Sequence, residues 1–514
     1  MKIYLFGSSG MIGRYVKMVL KLQYNVIYID RNDYDVLIDN DFKLKDILKN
    51  IKNNDVIINC IGIIPQKYKL DNYRTFIKVN SLFPHKLQEI AEKTDSKLIH
   101  ITTDCVYNGY RGLYKEDDKH DEDNLYGISK SLGEPENSCT IRTSIIGEET
   151  KNKTSLLEWI ISNKDKKING YVNHLWNGVT CLTLANVIKN MIENKFFWKG
   201  VRHIHSPNIV SKYDLCHYVN DIYNLNIEIV KYETSIINKS LNTSYNNLLN
   251  YNILDIKEQL KLQYIFNSTI HILGKNSFIG NFLYNNIQCM NKKIYSHTEI
   301  NFLSTNLNNN DIIINCCGVN RGSDEQLYNS NYLFVKELIN IINLNNNIRF
   351  VNISSLMASD LNNNSIFSKS KIMGDNHIVN NINNNNNYTV LRLCNILDNG
   401  IKPYNNNFIY TLIYEKQNNI INSTEYNVYN NNIYILSMEK VLDVVIDSII
   451  NPKNQILNVI SNKIFKMHDI IKILYCNDET IEKYNIKLLN TVTQAKYNKD
   501  INNIVKECDI EKLI

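Results

Sequence analysis

The stretch KIYLFGSSGMIG, Lys2 to Gly13, reads as a buried strand, Lys2-Ile-Tyr-Leu-Phe6, running into a turn, Gly7-Ser-Ser-Gly10-Met-Ile-Gly13. A helix with apolar periodicity follows. Strand, glycine turn and helix in that order let backbone N–H groups approach a pyrophosphate at a helix N-terminus, where the dipole favours negative charge. The spacing is G-x-x-G-x-x-G rather than G-x-G-x-x-G.

Working outward, a second strand, Asn25-Val-Ile-Tyr-Ile29, ends in Asp30-Arg31. An acid at that place binds ribose hydroxyls and an arginine accommodates a 2′-phosphate, so Arg31 tilts the reading toward NADPH. A solvated charge pair at a strand end is the competing reading of either residue alone. Asp55-Val-Ile-Ile-Asn-Cys-Ile-Gly62 is a continuous apolar run, as buried parallel strands are. A helix is expected from about Asn80 to Glu92. A fourth strand, Lys97 to Ile101, delivers Thr102 and Thr103 at its C-terminal end, the edge where open α/β sheets bind ligands. A further strand is expected over Cys139 to Ile146. The alternation predicts an α/β fold with a doubly wound, Rossmann-like parallel sheet.

Between these strands lies TTDCVYNGYRGLYKEDDKHDEDNLYGISK, Thr102 to Lys130. Positions i and i+4 share a helix face, so the Tyr126 hydroxyl and the Lys130 ammonium can point into one pocket. A cation held nearby favours phenolate and is expected to lower the tyrosine pKa toward working pH. That suits proton exchange with a carbonyl/alcohol pair. Thr103 offers a second hydroxyl for the same oxygen. Y-x-x-x-K alone is a common pattern whose ordinary reading is an exposed helix face; its context gives it weight.

The pattern recurs. Thr269 to Leu273 leads into Gly274-Lys-Asn-Ser277-Phe-Ile-Gly280, and Asp311-Ile-Ile-Ile-Asn-Cys-Cys-Gly318 echoes Asp55 to Gly62. Phe350 to Ile353 ends in Ser354-Ser355, Val390-Leu-Arg392 echoes Thr140-Ile-Arg142, and Phe367-Ser-Lys-Ser-Lys371 stands where Tyr126 to Lys130 stood. This is a domain-scale duplication, 1–265 and 266–514, rather than a short-period solenoid. Each half is expected to be a tandem Rossmann-like sheet with a smaller C-terminal substrate-binding portion, about 150–265 and 400–514. The second copy carries Ser277 for the middle turn glycine and Phe367 for the tyrosine. Phenylalanine has no proton to give, so this half is expected to be inactive in reduction.

Composition sets the class. At 514 residues with net charge +5, the chain has room for two to four domains and no electrostatic footprint of a nucleic-acid binder. Its Asn, Ile, Lys and Tyr richness is the signature of an AT-rich genome, and Asn runs such as Asn383 to Asn387 read as loop insertions. The 11 cysteines include no C-x-x-C pair, so no metal site is expected, and a reduced, cytoplasmic setting is. No signal peptide and no apolar run of membrane-spanning length is visible, so no membrane partner is expected.

With G-x-x-G-x-x-G, the strand-end Thr103 and Tyr126-x-x-x-Lys130 in order, the first half resembles the extended short-chain dehydrogenase/reductases. Thr102-Thr-Asp-Cys-Val-Tyr-Asn-Gly109 looks like the S-T-D-x-V-[FY]-x-G stretch of dTDP-4-dehydrorhamnose reductases. Asn173-His-Leu-Trp-Asn-Gly-Val-Thr-Cys-Leu182 and Arg142-Thr-Ser-Ile-Ile-Gly-Glu-Glu149 are closer to bacterial reductases that finish UDP-2-acetamido-2,6-dideoxy-L-hexoses. The second half, from about 269 to 450, is similar to the reductase domain of capsular-polysaccharide enzymes that act on UDP-linked 4-keto sugars. Gly318-Val-Asn-Arg-Gly322 with Asp324-Glu325, and Val390 to Asn395, carry that likeness.

The resemblance implies NADPH (or NADH) as cofactor and a UDP-sugar as substrate, with reduction at the C4 ketone of a 4-keto-6-deoxyhexose. It places Gly7, Ser9, Gly10, Met11, Ile12 and Gly13 on the pyrophosphate. Asp30, Arg31, Cys60, Ile61, Gly62, Thr102, Tyr126 and Lys130 fall along the rest of the cofactor. Tyr126 would protonate the C4 oxygen, Lys130 would lower its pKa and bind the nicotinamide ribose, and Thr103 would hold the oxygen. Asp104, Trp176 and Asn177 are candidate substrate contacts, with a core Trp and a turn Asn as the equal alternative. Cys105 stands two residues after Thr103, as does the acid/base cysteine of the related GDP-fucose synthase. That position implies C3 epimerisation before reduction, against the plainer reading of a buried strand-end thiol. His174 is a candidate second acid/base. A homodimer, or a complex with other sugar-nucleotide enzymes, is the implied assembly. The competing reading is a non-catalytic NADP-binding regulatory subunit, as a homologue of the rhamnose reductases is for methionine adenosyltransferase.

Overall fold

The computed structural model describes the chain except for residues 22, 66–71, 151–152, 246–250, 361–362, 398–407, 419–425, 430, 476–483, 485, 490–502 and 507–514. It divides into two compact units, Met1–Phe266 and Asn267–Ile514. Much of the C-terminal portion expected over 400–514 lies outside the described residues.

In the first unit β1 (Lys2–Phe6) feeds α1 (Met11–Leu20), followed by β2 (Asn25–Ile29) and β3 (Val56–Asn59). A helical run beginning at Tyr73–Phe76 passes through a π-helical stretch, Ile77–Leu82, into α2 (Phe83–Thr94). Then come β4 (Lys97–Thr103), α3 (Leu125–Ser131), β5 (Cys139–Thr143) and β6 (Gly200–His203). The sheet order is β6-β5-β4-β3-β1-β2, and every pairing is parallel. Because β1 lies between β2 and β3, the chain leaves it in opposite directions, and a crevice opens at the C-terminal ends of β1 and β3. All of β3 is buried, which is why it reads as an unbroken apolar run. Tyr4, Phe6, Ile57, Phe76, Phe83 and Leu87 share one core on the face that α2 covers.

Two boundaries differ from the sequence reading. The strand expected over Cys139 to Ile146 stops at Thr143 and resumes as a separate pair, Ile145–Ile146. The helix expected from Asn80 begins earlier, at Tyr73, and Asn80 sits inside its π-helical stretch. Pro84, four residues on, has no N–H to return to the Asn80 carbonyl. The second unit has Val335 at the matching place and keeps a π-helical stretch, so the proline does not require it. Shared by both is a glycine packed on the carbonyl inside that stretch. A Cβ on Gly133 would lie 1.8 Å from the Asn80 oxygen, and one on Gly374 would lie 2.5 Å from that of Asn331.

The second unit repeats the design. It has β7 (Thr269–Leu273), α4 (Phe278–Asn286), β8 (Asn291–Tyr295) and β9 (Ile312–Asn315). After a π-helical stretch, Asn329–Leu333, come α5 (Phe334–Ile342), β10 (Arg349–Ser355), α6 (Ile366–Asn381), β11 (Asn387–Leu393), β12 (Gln455–Ser461) and β13 (Asn503–Lys506). The order β8-β7-β9-β10-β11-β12-β13 matches the first sheet strand for strand and adds one.

No described helix is long and apolar enough to cross a membrane. Among the described residues no group of three or more His, Cys, Asp and Glu is placed to hold a metal ion.

Candidate active site

The glycine turn is built by close approach. Gly7 has φ 77° and its carbonyl accepts from Gly10 N–H at 3.0 Å. A Cβ on Gly13 would lie 2.0 Å from the Gly7 oxygen, so only glycine lets α1 start this near the strand. Ser9 and Gly10 are exposed at the tip, while the Ile12 side chain is in the core and offers only its backbone outward. Cys60 and Ile61 pack against Gly7. Burial pushes the Cys60 thiol up to about 12. At the end of β2, the Asp30 carboxylate accepts from Asn32 N–H at 2.8 Å, and Arg31 is exposed and paired with Asp35 at 2.8 Å.

At the end of β4, Thr103 Oγ1 accepts from Cys105 N–H at 3.2 Å and donates to Asp104 Oδ1 at 3.1 Å. The next residues make one 3-10 turn, and α3 comes back over it. Asn124 caps that helix by accepting from Gly127 N–H at 2.9 Å. Gly127 allows the approach, because a Cβ there would lie 2.6 Å from the Cys105 oxygen. Tyr126 and Lys130 thereby come to the Thr103–Cys105 turn on one helix face. Lys130 Nζ donates to Ile101 O at 3.3 Å and lies 3.6 Å from where a Gly62 Cβ would be. The Thr102 hydroxyl is buried without a hydrogen-bond partner.

The electrostatics correct one expectation. Tyr126 was expected to be pulled down by Lys130. Instead burial raises it well above a free phenol, Cys105 and Asp104 add to the rise, and Thr103 opposes it through hydrogen bonding. Lys130 is lowered to about 8, chiefly by burial, with Glu134 and Cys105 acting the other way. Lys130 is not among the groups that shift Tyr126, and Tyr126 is protonated at neutral pH. Cys105 is pushed up to about 12 by burial and by Asp104. Asp104, 3% exposed, is itself raised by burial against the pull of Lys239 and Lys212.

Trp176 and Asn177, the candidate substrate contacts, are both buried, and the Lys212 ammonium lies 4.8 Å from the Trp176 ring centre. Trp176 belongs to the core with Leu157, Leu215 and Val219. The Asn177 amide is taken up by the backbone of Leu241, donating to its carbonyl and accepting from its N–H, each at 2.8 Å. Both hold the C-terminal portion together. His174 stacks on Tyr171 at 4.5 Å between ring centres and shares a 2.8 Å hydrogen bond with Thr234 Oγ1. Neither contact points it to Cys105.

Three groups were missed. Asn80 Oδ1 accepts from Ile63 N–H at 2.9 Å, and Nδ2 donates to Ile63 O and to Ser129 Oγ, each at 3.1 Å. It ties the end of β3 to the residue before Lys130. The repeat of Asn80-Ser-Leu-Phe83 as Asn331-Tyr-Leu-Phe334 was the signal available for it. Lys212 and Lys239 come to Asp104 and Cys105 from the C-terminal portion, Lys239 also pairing with Glu122 at 2.9 Å. No spacing in the sequence links them to Cys105. A separate hollow of about 380 Å³, lined by Tyr34, Arg74, Lys78 and Lys86, contains none of these residues.

A switch-point glycine turn, a strand-end threonine and a Tyr–Lys pair on one helix face define the first unit as a doubly wound α/β unit of the dinucleotide-binding class. Residues 1–235 match the family described as RmlD substrate binding domain. Over 235 residues the chain is 27% identical to dTDP-4-dehydrorhamnose reductase of Aggregatibacter actinomycetemcomitans, covering 43% of this chain and 78% of that protein. It is 28% identical over 136 residues to the enzyme of the same name from Mycolicibacterium smegmatis, covering 26% and 40%. A solved dTDP-4-dehydrorhamnose reductase from Bacillus anthracis, in complex with NADP, aligns with 51% of this chain and 98% of its own at 18% identity, TM-score 0.45. The first half of the chain is thus covered by the RmlD substrate binding domain and by dTDP-4-dehydrorhamnose reductase homologues.

Proposed function

We propose that the first unit is a sugar-nucleotide reductase that uses NADPH, or NADH, to reduce the C4 ketone of a nucleotide-linked 4-keto-6-deoxyhexose. The substrate we favour is UDP-linked 2-acetamido-2,6-dideoxy-L-hexos-4-ulose, with C3 epimerisation before reduction. The observation that carries the reading is the convergence of Thr103, Tyr126 and Lys130 at the C-terminal edge of the sheet, beside the turn at Gly7.

The residues present fit a dinucleotide. The Gly7–Gly13 approach has no room for a Cβ at Gly13, which brings the start of α1 up to the exposed turn tip at Ser9 and Gly10. On this reading Gly7, Ser9, Gly10 and the backbone of Met11 and Ile12 hold the pyrophosphate. Asp30 and Arg31 take the adenosine ribose, and Cys60 to Gly62, Thr102 and Lys130 take the nicotinamide side. When bound, the dinucleotide supplies the hydride. The protein supplies orientation and a proton. Thr103 holds the C4 oxygen. Tyr126, kept neutral by burial, gives that oxygen its proton. Cys105, also neutral, serves as the acid toward a carbon beside the ketone. On this reading Lys212, lowered by burial, takes the proton from that carbon, while Lys239, held as an ammonium beside Glu122, stays a charge partner.

The test is NADPH oxidation by the full chain with the 4-keto UDP-sugar, together with deuterium uptake at C3 and C5 in heavy water. Turnover with uptake at C3 supports the whole reading. Turnover without uptake removes the epimerase step. Dinucleotide binding with no turnover on any nucleotide-linked 4-ketohexose would replace it with the regulatory-subunit reading.

A further inference from the structure

We propose that the second unit is a binding-only site for a pyrophosphate-linked dinucleotide, independent of whatever the first unit reduces. The two units place the same side chains in the same contacts. Asn331 Oδ1 accepts from Val319 N–H at 3.0 Å, and Nδ2 donates to Val319 O at 2.9 Å and to Ser370 Oγ at 3.1 Å. These are the bonds of Asn80 to Ile63 and Ser129. Lys371 sits on Gly318, its ammonium 2.5 Å from where a Cβ would be, as Lys130 sits on Gly62. Ser355 Oγ accepts from Met357 N–H at 3.3 Å, as Thr103 does from Cys105. A Cβ on Gly280 would lie 2.3 Å from the Gly274 oxygen, reproducing the first turn.

The space is present too. A cleft of about 860 Å³ is lined by Gly274 to Ser277, Ser296, His297 and Cys316 to Val319, among others. An adjoining one of about 610 Å³ shares Asn276, Ser277 and Cys316 to Val319, and adds Ser354, Ser355, Phe367 and Lys371. Because those residues are shared, the space runs on across the turn from Ser296 and His297 to Phe367 and Lys371. Two nucleosides joined by a pyrophosphate need that shape, whereas a mononucleotide fills one side of the turn. The charged and titratable groups lining the groove are Lys275, His297, Arg321, Glu337 and Lys371, with Cys316, Cys317 and Cys394. Cations outnumber acids, which favours an anionic pyrophosphate. Lys371 is pulled below an ordinary lysine by burial, with Asp375 opposing. Selection against the first unit's chemistry lies in Phe367, which lines the groove where a phenol would stand and has no proton to transfer.

The experiment counts bound dinucleotide on the full chain by equilibrium dialysis, with NAD⁺ and NADP⁺ as probes and UDP-N-acetylglucosamine as the comparison. The variants are Ser9→Glu and Asn276→Glu, each placing a carboxylate at the exposed tip of one turn. The expected result is about two equivalents for the wild type and about one for each variant. The remaining site should keep its affinity and the altered one should weaken at least about tenfold. One equivalent untouched by Asn276→Glu overturns the proposal, as does occupancy of the second unit by the UDP-sugar alone. One equivalent lost only with Asn276→Glu upholds it while counting against the first unit's reading. NAD⁺ or NADP⁺ alone filling the second site upholds it and names the dinucleotide. Lys371→Met, which leaves the turn intact, should weaken the same site; no change there overturns the lysine's part in it.

Discussion

Asn80 donates to Ser129 at 3.1 Å, and this bond joins a π-helical turn to the residue next to Lys130. Both side chains are buried, and the Asn80 amide makes two further bonds to the backbone of Ile63. The end of β3 and the face of α3 are therefore held in register by one residue that touches neither Tyr126 nor the turn at Gly7. Asn80→Ala would leave the Ile63 N–H and carbonyl without Asn80, while Ser129 Oγ keeps its bond to the Tyr126 carbonyl, at a cost of about 2–3 kcal/mol. Residues Trp159, Trp176 and Trp198 are the three tryptophans of the chain and all lie in the first unit. Urea unfolding followed by tryptophan fluorescence reads that unit alone, and an unchanged midpoint would remove Asn80 from this role.

Tyr126→Phe removes the proposed proton donor and leaves the ring. Turnover should fall by about a hundredfold to ten-thousandfold, the usual worth of a positioned acid. Dinucleotide binding should stay. Steady-state NADPH oxidation checks the first point and dialysis the second. Residual activity near that of the wild type would move the proton transfer elsewhere.

Lys130 gives a signed pH effect. Its folded value, about 8, lies below the unfolded value of 10.5. Between those two pH values the unfolded chain binds more protons, so stability rises with pH. Compared with Lys130→Met, the wild type should gain about 2–3 kcal/mol between pH 7 and pH 10. Fluorescence-monitored urea curves of both proteins at the two pH values measure it. A difference that does not move with pH means that Lys130 is not buried as an ammonium.

Cys105 should behave as an inert thiol toward reagents. With its pKa pushed up to about 12, its thiolate is scarce at pH 8. Alkylation by iodoacetamide should be about a thousandfold slower than for a free thiol. Peptide mass spectrometry gives the rate. If the epimerase step is real, Cys105→Ser should abolish deuterium uptake at C3 and retain reduction of the already epimerised sugar.

Gly13→Ala puts a carbon 2.0 Å from the Gly7 oxygen. Backbone must move, so destabilisation of about 1–3 kcal/mol is expected, with loss of dinucleotide binding at the first unit. Circular dichroism separates a folded chain that no longer binds from an unfolded one.

Order along the chain was enough for the architecture. Periodicity and turn residues located β1 to β5, and the repeat of Asp55 to Gly62 as Asp311 to Gly318 pointed to the second sheet of like strand order. Helical spacing alone put Tyr126 and Lys130 on one face, since that relation is local. Three matters depended on packing over long separations. The sign of the Tyr126 shift turned on desolvation, and burial is not written in a four-residue spacing. The Asn177 amide goes to Leu241, 64 residues on, a partner that no local spacing foretells. Asn80, Lys212 and Lys239 reach the site only because the chain closes on itself. Sequence determines what a residue can do over one turn of helix or one strand. The tertiary structure decides which polar groups remain for a ligand, because burial and hydrogen-bond partners are properties of the folded neighbourhood.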